Sequence, residues 1–142
     1  MRAYYKESLE NAIYYISKEF KKATNKDIYI SQICVVLIAF DYEHLCDMGV
    51  PAIDVLNELD VCCKTHKFKL KVIPKKLKVK NNQVSDSENL IVNFDYFSES
   101  EIAELTRCID YLIKDELPFK VEHYITYLFE KLYTLNRYSH HR

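Results

Sequence analysis

Between Tyr4 and Ala23 the apolar positions Tyr5, Leu9, Ala12, Ile13, Ile16 and Phe20 recur at intervals of three and four, while Lys6, Glu10, Lys18, Lys21 and Lys22 fall elsewhere. This period predicts an amphipathic helix. The polar stretch Thr24 to Asp27 ends it, and Ile28-Tyr29-Ile30 reads as a short strand because β-branched and aromatic residues suit a pleated surface. Ser31 is a candidate N-cap for the next helix. Ile33 to Leu45 is apolar nearly all round, so this second helix must lie at the centre, covered on most sides. Met48-Gly49-Val50-Pro51 stops it, Gly49 by its backbone freedom and Pro51 as the opening residue of a following helix. That third helix is predicted to reach about Thr65, burying Ala52, Val55, Leu56, Leu59 and Cys62 or Cys63.

From His66 the period changes to two. Phe68, Leu70 and Val72 alternate with Lys67, Lys69 and Lys71, and beyond Pro74 the residues Leu77 and Val79 alternate with Lys76, Lys78 and Lys80. These are strand signals. A polar loop, Asn81 to Glu88, leads to Leu90–Tyr96, a second strand vocabulary, and together they predict an antiparallel ribbon. Ser98 and Glu101 have the spacing of a capping box before Ile102, Leu105, Ile109, Leu112 and Ile113, so a fourth helix runs to about Glu116 and Leu117-Pro118 ends it. The last helix, Val121 to Tyr138, carries the stripe Val121, Ile125, Leu128, Leu132 and Leu135. With Tyr124, Tyr127, Phe129 and Tyr133 beside it, this face is wider than one neighbouring helix covers and predicts a homodimer surface. The expected fold is mainly α with a small antiparallel β-ribbon (α+β), about five helices in one globular domain spanning residues 1–142.

Composition supports this outline. A single Gly and three Pro in 142 residues leave few sites for tight hairpins or phosphate loops and favour helices with short connections. Charge adds something periodicity does not show. The net charge is −1, yet residues 64–80 hold eight Lys and no acid, between flanks in which acids outnumber bases. Clustered cations of this kind suit phosphate backbones, since each neutralised phosphate releases counterions. They also suit a solvated edge strand kept from aggregating by lysine. The absence of Arg from the run weakens any base-specific readout.

The order helix, short strand, helix, helix, strand, loop, strand resembles the winged-helix architecture over the first two thirds of the chain, with Asn81 to Glu88 as the wing. Its recognition helix would begin Pro51-Ala52-Ile53-Asp54 and carry Glu58 and Asp60, acids that repel phosphate. On that resemblance, nucleic acid would be met through Lys67, Lys69, Lys71, Lys75, Lys76, Lys78 and Lys80.

No catalytic or cofactor signature emerges. Five Cys, with an adjacent pair and no Cys-x-x-Cys spacing, read as reduced intracellular thiols, and the longest apolar run, Ile33 to Phe40, is too short to cross a bilayer. His44, Cys46, Cys62, Cys63 and His66 have the residue types of a zinc site, but residues two apart on a helix diverge by about 200°, so no metal is expected. A Cys62 or Cys63 dyad with His66, and carboxylates paired among Asp54, Glu58 and Asp60, lack any spacing that would bring them together in a water-excluding pocket. The Tyr-, Lys-, Ile- and Asn-rich vocabulary fits an AT-rich genome, many viruses and phages included. The expectation is a non-enzymatic intracellular binding or regulatory protein, cytoplasmic or nuclear. It acts through protein–protein contact, without cofactor or membrane, and nucleic-acid binding by the basic ribbon is the alternative.

Overall fold

Helix α1 (Tyr5–Thr24) buries Leu9, Ala12, Ile13, Ile16 and Phe20, the predicted stripe, and closes where Asn25 turns left-handed and donates its N–H to Lys21 O at 2.8 Å. The computed structural model describes residues 4–62 and 67–140, with side chains described for 4–60 and 68–132. Helix α2 (Ile30–Met48) is the central element. Ile33, Cys34, Val36, Leu37, Ile38, Ala39 and Phe40 are all buried, and α1, α3, α4 and β2 each pack on it. It starts before Ser31 because Tyr29 is the N-cap, with Gln32 Oε1 accepting the Tyr29 N–H at 2.9 Å. It stops at Gly49, whose φ of 80° is the left-handed conformation that makes Gly the favoured residue there.

The expected third helix, Pro51 to Thr65, does not form over its described part, residues 51–62; residues 63–65 lie outside the described residues. Asp54 is left-handed, Val55–Glu58 makes one 3-10 turn, and the chain then enters strand β1 (Leu59–Cys62). The reason lies in α2. The buried Asp41 carboxylate accepts the N–H groups of Ile53 and Val55, which fixes this segment in a turn before a helix can propagate. Among the described residues the α-helices therefore number four rather than about five, and the segment assigned to the recognition helix of a winged-helix order is a turn and a strand.

The lysine-rich segment divides between two small antiparallel sheets instead of one ribbon. Strand β1 pairs with β2 (Lys67–Leu70), Leu59 opposite Leu70 and Cys62 opposite Lys67. Strand β3 (Lys78–Lys80) pairs with β4 (Gln83–Ser85) across a two-residue turn, Asn81-Asn82, in which both φ values are positive, 54° and 62°. Two left-handed central residues match the right-handed twist of a hairpin, and Asn tolerates them. So three of the eight residues of the expected loop, Gln83–Ser85, are strand. Ile28–Ile30 contributes one bridge, Tyr29 to Gln83, flanked by N–H donation from Ile30 to Asn82 O and from Val84 to Ile28 O. The expected strand Leu90–Tyr96 is absent. Its backbone is engaged by α1 instead, Lys18 Nζ donating to Leu90 O at 3.0 Å and Asn11 Oδ1 accepting the Asn93 N–H at 2.8 Å, before a 3-10 turn at Phe94–Tyr96.

Helix α3 (Glu99–Ile113) opens on the predicted capping box: Ser98 Oγ accepts the Glu101 N–H and Glu101 Oε1 accepts the Ser98 N–H. Helix α4 (Val121–His140) lies on α2 through an aromatic cluster in which Tyr42 meets Tyr124 and Tyr127 at ring separations of 4.8 and 5.0 Å. Part of the α4 stripe expected to be a dimer face is thereby taken up within the monomer. Leu128 and Tyr124 are buried within the monomer, Val121 and Ile125 pack against its core, and Leu132 is half-buried. The Leu135 side chain lies outside the described residues, as does that of Tyr133. Among the described residues no helix is long and apolar enough to cross a membrane.

Candidate functional site

Hydrogen-bond phase decides what the small sheets offer to a partner. In an antiparallel pair, main-chain groups point alternately toward and away from the neighbouring strand. Lys71 donates its N–H to Glu58 O at 2.9 Å, which fixes the phase of β2. Lys67, Lys69 and Lys71 then turn their main chains toward β1, and Phe68 and Leu70 turn theirs to the outer edge. In the hairpin, Lys80 and Gln83 close the turn as the bonded pair, so Val79 directs its N–H and C=O away from β4. The opposite strand agrees, because Val84, the partner of Val79, directs its own N–H outward to Ile28.

Both outer edges border one groove of about 530 Å³, lined by Tyr29, Phe68, Leu70, Ile73 and Val79, with Ser31 at one end. Its floor is apolar and open: Ile73 and Val79 are each 40% exposed and Tyr29 is 48% exposed. A second depression of about 600 Å³, between α2, β2 and the link from α3 to α4, meets it at Ser31 and Phe68. The two form a trough past β2.

Of the sequence-predicted lysines with described side chains, Lys69 lines this trough and the others do not, and Asp115, Lys120 and Glu122 line its second half. Lys69 is exposed on β2, cross-strand from the exposed Asp60. Lys71 reaches Asn57 O at 3.0 Å, Lys75 and Lys76 sit exposed in the connection to β3, Lys78 pairs with Asp86 at 3.3 Å, and Lys80 is exposed beside the turn. The Lys67 side chain lies outside the described residues.

Of the other candidates, Glu58 and Asp54 both lie near the Tyr5 hydroxyl, which burial and then these carboxylates push up. Asp54 Oδ2 accepts from Asn57 Nδ2 at 2.6 Å, and Asp60 faces solvent on β1. Cys63, His66 and the Cys62 side chain lie outside the described residues, so neither the Cys–His pair nor the five-residue metal set has a described geometry. His44 is engaged at both nitrogens, Nδ1 at 2.6 Å from Val50 O and Nε2 at 3.1 Å from Glu101 Oε2, while Cys46 is exposed. Among the described residues no three His, Cys, Asp or Glu are grouped to hold a metal ion.

Sequence reasoning missed a buried polar seam between α2 and α3, made by Asp41, His44, Glu101 and Glu104. The available signal was Asp41, which with Glu43 is one of two acids inside the apolar run Ile33 to Leu45. Glu104 Oε1 is buried with no hydrogen-bond partner, and its carboxyl is pushed up to about 7, first by burial and then by the charge of Asp47, against the lowering effects of His44 and Arg107. Asp41 is pushed up to about 6, again chiefly by burial, which outweighs the N–H bonds from Val55 and Ile53.

Raised carboxyl pKa values fix the sign of a pH effect. Between the ordinary Glu value of 4.5 and about 7, the folded chain holds a proton at Glu104 that the unfolded chain has lost. Stability should therefore fall as pH rises through this window, with Asp41 adding in the same direction up to about 6. Glu104→Gln should match the wild type at pH 4.5 and exceed it at pH 8 by about 1–2 kcal/mol, after discounting for solvent screening. Urea denaturation at the two pH values measures this, and an unchanged pH dependence in the variant would mean that Glu104 is not the group responsible.

Comparison with known proteins adds no relative: no family model, curated protein or solved structure matches the chain.

Proposed function

We propose that this chain is a non-enzymatic binding protein acting through protein–protein contact, with the trough along β2 as its contact surface. One observation carries the reading: the exposed apolar side chains Tyr29, Ile73 and Val79 share a groove with two outward-facing strand edges. Lysines that served only to keep edge strands soluble would not require an apolar groove between them. The α4 stripe has no part in this reading, since its centre is core.

The second reading is nucleic-acid binding. It rests on the exposure of Lys69, Lys71, Lys75, Lys76, Lys78 and Lys80 in a segment with no acid. With 51–58 held as a turn, a winged-helix type of contact would fall to the β3–β4 hairpin and its lysines.

Two measurements separate the readings. A random peptide library displayed on phage is panned against the wild type and counter-selected on Ile73→Asp, a substitution at a half-open surface position. Enriched sequences that bind the wild type and not the variant are expected, and no enrichment overturns protein contact at this surface. Generic duplex and single-stranded oligonucleotides are then titrated across a salt series. Saturable binding with a steep salt slope would favour the nucleic-acid reading.

A further inference from the structure

We infer that α3 is a pH-sensitive flap, tilting off α2 as pH rises through neutrality and uncovering the buried face that carries Leu105, Cys108 and Ile109. The inference does not depend on what the trough binds.

The seam between the two helices is unbalanced in charge. Among the described residues it sets Asp41, Glu101 and Glu104 against one imidazole, His44, and all four side chains are buried. His44 is already committed. Its Nδ1 lies 2.6 Å from Val50 O and its Nε2 3.1 Å from Glu101 Oε2, while Glu101 Oε1 accepts the Ser98 N–H. Glu104 is 7% exposed, and its Oε1 has no hydrogen-bond partner. The charged groups facing it are Asp47, Glu43 and His44 on α2 and Arg107 on its own helix, so two of the four repel a carboxylate and the Arg107 side chain is exposed to solvent.

One movement relieves an ionised Glu104. Separation of α3 from α2 hydrates the carboxylate and takes it away from Asp47 and Glu43 together. The links at both ends of α3 can absorb such a tilt. Residues 90–98 are irregular apart from the 3-10 turn Phe94–Tyr96, and residues 114–120 hold no helix or strand and pass through the left-handed Asp115.

The sign follows from where the proton is held. Closed, the Glu104 carboxyl keeps its proton up to about 7, and hydrated it returns toward the ordinary 4.5. Between these values the closed form carries a proton that the open form has lost. Rising pH therefore favours opening, by about tenfold between pH 6 and pH 8. Asp41, faced by His44 and by Asp54 of the following turn, with Tyr5 of α1 in its field, is pushed up only to about 6 and adds little above that pH.

Cys108 reports the opening, because it lies on α3 one turn beyond Glu104 and is 1% exposed. The reduced full chain is labelled with N-ethylmaleimide and the Cys108 peptide is read by mass spectrometry. Each rate is divided by that of the urea-unfolded chain at the same pH, which removes the thiol's own titration. Below the unfolding transition the rate should be nearly independent of urea, the mark of an opening that exposes little surface. It should rise about tenfold from pH 6 to pH 8. Glu104→Gln carries no charge at either pH, and the rise should be lost in it while its circular dichroism matches the wild type. The inference is overturned if Cys108 labelling follows urea with the slope of whole-chain unfolding, if it does not rise with pH, or if folded Glu104→Gln keeps the wild-type rise.

Discussion

Replacing Leu128 by Glu is expected to unfold the protein. Leu128 is 1% exposed and lies with Tyr124 on the face of α4 that meets α2, a helix that is apolar nearly all round. A carboxylate placed there finds neither water nor a cation, and the cost of several kcal/mol is comparable with the whole stability of a small domain, about 5–15 kcal/mol. If the stripe were a dimer face, the same change would give a folded monomer of unchanged helicity. Circular dichroism with sedimentation velocity distinguishes the two, and a helical monomer would remove Leu128 from the core. Phe129→Glu is the internal control: it is the next residue but 55% exposed, and it should leave the thermal midpoint close to that of the wild type.

The contrast between neighbouring residues shows what the amino-acid pattern could and could not convey. Long, strongly periodic segments were legible: α1, the Ser98–Glu101 cap and α4 stand where period and capping chemistry put them, and α2 covers its apolar run but opens at Tyr29 rather than at the expected Ser31 cap. The apolar positions Ala52, Val55 and Leu59 satisfy helical spacing equally well, yet their state is set by two non-local contacts, Asp41 with the Ile53 and Val55 N–H groups and β1 with β2. Neither contact leaves a local trace. Leu90–Tyr96 has the residue types of a strand, but its backbone partners are side chains of α1 more than 70 residues away in sequence. The hairpin did leave a trace, since Asn81-Asn82 between Val79 and Val84 is a turn dipeptide flanked by strand formers.

The candidate site divides in the same way. The lysine run was readable, because it is a property of composition, but that Lys69 alone of its described side chains lines the trough was not. The shape of the site was not readable either. Which edges face outward depends on the phase set by one Lys71–Glu58 hydrogen bond and by the length of the Asn81-Asn82 turn, and the groove exists only because the two sheets do not join. The width of the α4 face misled for a related reason. The ring of Tyr42 on α2 meets Tyr124 and Tyr127 of α4, so part of the aromatic width that suggested a second subunit is taken up within the monomer, while Phe129 stays exposed.

Asp41→Ala is expected to lose about 3–5 kcal/mol, although Asp41 touches no part of the trough. Its two carboxylate oxygens accept from Ile53 N at 2.7 Å and Val55 N at 2.6 Å, and the side chain is buried. Truncation strands both donors away from water, about 1–3 kcal/mol each, and leaves a small void beside Val55 in the core. Asp41→Asn keeps the shape and one acceptor while turning an amide donor toward an N–H, so it should fall between the two. Because Asp41 holds the turn that leads into β1, the loss should be felt first where β1 pairs with β2. Hydrogen exchange should show Leu59–Cys62 losing protection in Asp41→Asn while the interior of α2 keeps most of its own. For a chain of this size the alanine variant should melt about 8–15 °C below the wild type at pH 7. A midpoint within about 2 °C, a shift worth well under 1 kcal/mol, would mean that the turn between α2 and β1 holds without the carboxylate, and that something other than Asp41 keeps a third helix from forming there.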